Sequence, residues 1–163
     1  MKVVVQRVHH CTLTSEDITS KIADGLLVTV GASMQDTNED IVYLARKIAN
    51  LRIFKDEEGK CNRSLIDVDG DVMVVSNFTL QARIGSGTRP DFSRAGNPET
   101  ALALYEQLID EFKKLGIKNV AKGNFKHHMH LDCQLDGPFN LILESEGRKW
   151  TKYYLNYLRD LNT

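Results

Sequence analysis

Residues 1–31 read MKVVVQRVHHCTLTSEDITSKIADGLLVTVG, and their order of patterns decides the fold class. Val3, Val4, Val5 and Val8 make a β-branched opening strand. Thr12 to Ile22 is a polar hairpin region in which Thr12, Thr14, Ile18 and Ile22 share one parity, so one face is turned inward. Gly25 then opens a buried run, LLVTV, that closes at Gly31. Strand signals therefore accumulate before any helix begins, which is the mark of a sheet built largely from neighbouring antiparallel strands.

Helices follow with clear punctuation. Thr37 with Asp40 three residues on is a capping-box pattern, and Ile41, Leu44, Ala45, Ile48 and Leu51 follow at helical spacing, so a first helix is expected to end near Arg52. A turn at DEEGK (56–60) leads to a short strand, Val72 to Val75, which places SNFTL (76–80) at or just beyond a strand end. A Gly-rich loop, GSGTRPDF (85–92), precedes a second helix. Asn97 is its N-cap, Pro98 its first residue and Gly116 lies just past its end; Ala101, Leu104, Tyr105, Leu108, Ile109 and Phe112 form its buried stripe. Met129, Leu131, Cys133 and Leu135 alternate with His128, His130, Asp132 and Gln134 as a half-exposed strand. Asp136 and Gly137 are expected to turn that strand into another, Phe139 to Leu143. The stretch 148–163, with Trp150 and Tyr154, reads as an extra closing helix. The whole chain, 1–163, is expected to be a single α+β domain: a mostly antiparallel, barrel-like sheet with two or three covering helices.

Bulk properties narrow the function classes. Charged residues make up 26% of the chain and nearly cancel, and a net charge of -1 gives no global attraction for nucleic acid or anionic lipid. An RNA partner would need a local basic patch, and no DNA or membrane partner is expected. No apolar stretch approaches the roughly 20 residues that span a bilayer, nor does the start carry a signal-peptide core. Cys11, Cys61 and Cys133 are widely spaced and odd in number, which suggests neither a disulfide framework nor a thiolate zinc site and makes cytosol the default compartment.

Four constellations can carry chemistry, and each has a plainer reading. Ser76 and Thr79 stand where a nucleophile could sit, yet such hydroxyls commonly satisfy turn backbone. Gly137-Pro138 is a special backbone site or simple turn chemistry. His128 and His130, with Asp132, share a strand face and are either metal ligands, in a metal-binding sheet protein, or a solvated face. The loop around Arg89 offers N–H groups and a guanidinium to phosphate but lacks the arrangement of a nucleotide P-loop, so it is equally a surface loop.

Taken together and in order, these segments resemble the D-aminoacyl-tRNA deacylases along nearly the whole chain up to about Glu144. The opening strand ends in QRV at 6–8, N-L-R-I-F stands at 50–54, and the DEEGK turn follows. The family's S-Q-x-T-L appears as SNFTL, its K-K-G-N-R-P-x-F loop as GSGTRPDF, and its N-x-G-P-V-T as Leu135 to Asn140. The resemblance implies a cytoplasmic homodimer that hydrolyses the ester joining a D-amino acid to the terminal adenosine of tRNA, without metal or other cofactor. It implies that Gly137 and Pro138, with Phe139 beside them, enter the other subunit's pocket as a chirality filter that Arg7 holds in place. The amides of Asn77 and Phe78 are the candidate oxyanion donors; Thr79 is the candidate nucleophile, against which a positioned water assisted by the ribose hydroxyl is favoured. Departures fall on the hallmarks. Asn77 replaces Gln, Phe139 and Asn140 replace Val and Thr, Leu135 replaces Asn, and Lys126, His127 and His128 stand in place of small residues. These mark a divergent member, and the alternative is a paralogue with altered or lost activity that binds tRNA or another partner.

Overall fold

The computed structural model describes residues 1–145. The strand β1 (Lys2–Thr14) is the spine of the sheet. On one side its first half pairs antiparallel with β3 (Gly25–Gly31) and its second half with β2 (Thr19–Ile22). The strand β8 (His130–Glu144) pairs antiparallel along its other side from Thr14 back to Lys2. Two parallel pairings extend the sheet, β3 with β6 (Asp71–Ser76) and β6 with β7 (Val120–Lys122). The order β2-β1-β3-β6-β7 nearly closes on itself: Ser20 Oγ donates to Lys122 O at 2.9 Å, and Asn119 Nδ2 to Lys21 O at 3.4 Å. A small antiparallel pair, β4 (Phe54–Lys55) with β5 (Cys61–Arg63), stands apart.

The sheet is thus mixed, because each parallel step needs a long crossover and the two helices supply them. Helix α1 (Asn38–Ala49) lies between β3 and β6, and α2 (Pro98–Lys114) between β6 and β7. Asp40 accepts the Thr37 N–H at 2.9 Å, and Asn97 Oδ1 accepts the N–H groups of Glu99 and Thr100. Both starts therefore lie where their caps predict. The first helix ends three residues before Arg52: the Asn50 side chain and N–H both bond Arg46 O and close the last turn.

The apolar runs in β3 and β6 are continuous because both faces of the sheet are covered. Val3, Val5, Leu26, Val28, Val30, Val72 and Val74 pack against the helices, with Phe112, Leu108, Ile41, Leu44 and Ile48 opposite. Val8, Cys11, Leu13, Leu27, Met73 and Val75 fill the inner side of the curled sheet.

Two expectations are corrected here. Asp136-Gly137 does not separate two strands; β8 runs through them, and the ladder absorbs them with register shifts opposite Gln6 to His10. The Gly137-Pro138 bond within it is cis. Cys11 and Cys133, expected to be unpaired, are direct cross-strand partners and are joined as a disulfide. Their separation of 122 residues carries no sequence signal, since only the β1/β8 register brings them together. The tail expected to form a closing helix lies outside the described residues. Among the described residues no helix is long and apolar enough to cross a membrane.

Candidate active site

Where β6 ends, the chain enters a single 3-10 turn, Phe78–Gln81. Gly31 at the end of β3 makes room for it: a Cβ there would stand 2.8 Å from Asn77 O and 3.0 Å from the Leu80 Cβ. Gln81, buried, donates from Nε2 to Gly31 O at 2.5 Å and ties the turn to the sheet. SNFTL is thereby fixed at the rim of an apolar cavity of about 850 Å³. Leu27 and Val75 line its sheet side, Ala101 and Tyr105 its helix side, and Phe125 to Met129 its mouth. A cavity of this size suits a nucleoside-sized ligand.

Ser76, Asn77 and Phe78 line the cavity; Thr79 is exposed and does not. The Asn77 N–H donates to Val30 O at 2.8 Å, continuing the parallel ladder, so it cannot serve as an oxyanion donor as expected from the sequence. The Phe78 N–H has no acceptor among the described residues and is the one amide of the pair available to a ligand. Asn77 Oδ1 accepts both the Thr79 N–H at 3.1 Å and the Thr79 hydroxyl at 2.5 Å. A carboxamide oxygen is not a proton acceptor of any basicity, so this arrangement does not activate Thr79 as a nucleophile. The Phe78 ring, 60% exposed, meets Phe92 of the Gly-rich loop edge to face at 5.2 Å between centroids. At the base of that loop Arg83 and Asp91 exchange backbone hydrogen bonds, and Ser93 N and Oγ both donate to the Asp91 carboxylate at 2.9 Å. Those bonds, the backbone one foremost, hold the Asp91 carboxyl below the usual carboxylate range. Arg89 stands exposed on the same loop and does not line the cavity.

Tyr105 is the residue that sequence reasoning assigned to the core alone. Its hydroxyl lies 2.9 Å from Val74 O and 3.1 Å from Gly123 O, beneath the cavity, and accepts the Gly123 N–H at 3.2 Å. Burial pushes this phenol well above its ordinary pKa. A tyrosine within a buried helical stripe is the available signal, since its hydroxyl needs a partner. Gln6, Phe92 and Met129 also reach the cavity unannounced by any local pattern.

Gly137, Pro138 and Phe139 do not line this cavity within one protomer. They are organised by Arg7, whose side chain is 5% exposed. It donates from Nη1 to Ile53 O, its Nε lies 2.6 Å from Asp136 Oδ2 as an ion pair off the N–H direction, and its guanidinium sits 5.0 Å from the Phe139 ring centroid. His9 Nε2 is 3.7 Å from the other Asp136 oxygen. Gln6 Nε2 donates to Asn140 Oδ1 at 3.0 Å, so the first strand grips both flanks of the Gly-Pro tip. His128 and His130 pack ring against ring at 4.7 Å, and no group of three His, Cys, Asp or Glu able to hold a metal exists among the described residues.

A curled α+β sheet thus sets a nucleoside-sized apolar cavity beside a Phe78 N–H with no acceptor among the described residues, an arrangement that suits a hydrolase acting on a small molecule or a nucleotide end. The family described as D-Tyr-tRNA(Tyr) deacylase matches residues 4–144. A D-aminoacyl-tRNA deacylase of Parabacteroides distasonis is 43% identical over 150 residues, which is 91% of this chain and all of that one. One of Thermosipho africanus is 44% identical over 147 residues, 90% of this chain and 98% of that one. A solved structure described as c-Myc DNA Unwinding Element Binding Protein superposes with a TM-score of 0.84 at 36% identity, covering 90% of this chain and all of that one. A structure described as a probable eukaryotic D-amino acid tRNA deacylase has a TM-score of 0.77 at 16% identity over 87% of this chain and 97% of that one, and so shares the fold. The chain belongs to the D-aminoacyl-tRNA deacylase family.

Proposed function

We propose that this hydrolase takes the terminal adenosine of D-aminoacyl-tRNA into the cavity beneath Phe78 and cleaves the aminoacyl ester there. The observation that carries the reading is the acceptor-free Phe78 N–H at the rim of an apolar pocket. Aimed at the developing oxyanion, one such donor is worth about 3 kcal/mol, a factor on the order of 100 in rate. The ester is already activated, so a water assisted by the ribose hydroxyl suffices as nucleophile, and the hydroxyl of Thr79 stays bound to Asn77. Ser76 lines the floor beside it.

The second part of the reading is a cytosolic homodimer in which the Gly137-Pro138 tip of one copy enters the cavity of the other. Its support is that the tip is braced by Arg7, Asp136 and Gln6 yet does not line this cavity in its own protomer. Exposed Leu131, Leu135 and Ile142 on the same strand are the apolar surface such a contact would bury. Phe139 and Arg7 then position the filter, while Arg89 is available to more distant phosphate. Residues 1–163 would act as one unit.

Purified protein assayed on D-Tyr-tRNA, L-Tyr-tRNA and Gly-tRNA tests the reading. Clearance of the D-ester well above the L-ester is expected, with sedimentation at twice the monomer mass. No clearance of any of the three above the uncatalysed rate would instead select a paralogue that has lost the activity and retains only binding.

A further inference from the structure

Between β7 and β8 the chain makes a tight loop that is pinned on both sides of Lys126. Phe125 packs on Tyr105 with centroids 5.9 Å apart, and Ser15 Oγ donates to His128 O at 3.0 Å. His127 N–H closes the turn on Asn124 O at 3.3 Å. Lys126 itself is held at φ 66°, a left-handed conformation unusual for a residue with a long side chain. It is exposed and lines the cavity mouth together with His127 and His128. The neighbouring Lys122 is paired with Glu106 at 2.8 Å, and Glu16 stands 3.9 Å from His127 Nδ1. Among the described residues the Lys126 ammonium has no carboxylate within ion-pair distance. A chain of net charge -1 thus places a cation with no carboxylate partner among the described residues, on an anchored loop and in a left-handed backbone state, at the lining of the cavity.

We propose that Lys126 binds a backbone phosphodiester of the tRNA 3′ end, next to the terminal adenosine, and so selects esters attached to a polynucleotide. The proposal rests on the deacylase reading and adds to it the charge that fixes the strand as it leaves the cavity. His127 and His128 flank the same opening.

The test compares wild type, Lys126→Gly and Lys126→Arg on two substrates, D-Tyr-tRNA and D-tyrosyl-adenosine, which lacks any phosphate. Lys126→Gly is expected to raise KM for the tRNA about three- to ten-fold with kcat little changed. The salt dependence of log kcat/KM should fall by roughly 0.7 to 1, the signature of one lost phosphate contact. Its kinetics on D-tyrosyl-adenosine should match wild type, and Lys126→Arg should retain most of the tRNA affinity. Because glycine adopts the left-handed conformation without a Cβ clash, which offsets its larger entropy loss on folding, the melting temperature of Lys126→Gly should stay close to that of wild type. An unchanged KM and salt slope on tRNA, or an equal loss on both substrates, would overturn the proposal. If wild type cleaves neither ester, the deacylase reading itself falls.

Discussion

Thr79 gives both its backbone N–H and its hydroxyl to a single atom, Asn77 Oδ1. The Thr79 hydroxyl is thus part of a cap on the 3-10 turn, and the consequences for the two residues differ. Thr79→Val removes one hydrogen bond at an exposed position and is expected to lower kcat less than ten-fold. Asn77→Ala removes the acceptor of both bonds at a cap, which costs about 1 kcal/mol and lets the Phe78 N–H drift, so kcat should fall at least ten-fold. Single-turnover deacylation of D-Tyr-tRNA measures both; a Thr79→Val loss beyond a hundred-fold would restore Thr79 as nucleophile.

The close seat of that turn against β3 depends on the missing side chain at Gly31. Gly31→Ala brings a Cβ to within 2.8 Å of Asn77 O, which is backbone and cannot rotate away. The turn must shift, at about 1–3 kcal/mol, and carries the Phe78 amide with it. Urea unfolding should show the lost stability, and kcat should fall more than KM rises.

Much of this frame was legible because its signals are local. The Thr37/Asp40 and Asn97/Pro98 starts depend on residues within one turn of each other, and the double-sided burial of β3 and β6 is written in unbroken apolar runs. What escaped depends on pairing across the chain. Asp136-Gly137 carries a genuine turn signal, yet β1 is long enough to pair on both sides of it, so the strand continues. The amide of Asn77 is unavailable because β6 runs one residue further beside β3 than its apolar run does. The Cys11/Cys133 bond and the cavity itself likewise exist only through register.

Arg7 supplies a prediction of larger size. Its guanidinium is buried, and removing it leaves the Asp136 carboxylate beside His9 alone and Ile53 O without a donor. Arg7→Ala is expected to cost about 2–3 kcal/mol, below the range for fully buried pairs because Asp136 is 31% exposed. Arg7→Lys keeps the charge but not the fork, and should recover less than half of the loss. Both variants should lose discrimination between D-Tyr-tRNA and L-Tyr-tRNA if the Gly-Pro tip is the filter, measured as the ratio of kcat/KM for the two esters.

At the loop that carries Phe92, the Asp91 carboxyl titrates below its ordinary range because Ser93 bonds the charged form. A depressed carboxyl adds stability that is present above its unfolded pKa, about 3.9, and is lost as pH falls through its folded value. Asp91→Ala should therefore mimic acidification at neutral pH: the loop loosens, the Phe78/Phe92 contact opens, and KM rises a few-fold with kcat held. Equal KM for variant and wild type would mean that the loop does not shape the cavity.

Tyr105 titrates in the opposite direction, since burial disfavours its phenolate. The folded protein keeps the proton at pH values where the unfolded chain releases it, so this residue's stabilisation is fully present below about pH 10 and declines as pH rises beyond the unfolded value toward the folded one. Tyr105→Phe deletes the hydroxyl whose single proton is shared between Val74 O and Gly123 O. Val74 O retains the Gly123 N–H at 3.1 Å, but Gly123 O loses a partner in a buried place. A loss of about 1–2 kcal/mol at pH 7 is expected, smaller at pH 11 where the wild type has given up part of its own advantage. Urea midpoints of both proteins at pH 7, 9 and 11 measure the difference. A gap that stays constant or widens with pH would show that the Tyr105 hydroxyl is not held protonated by its burial.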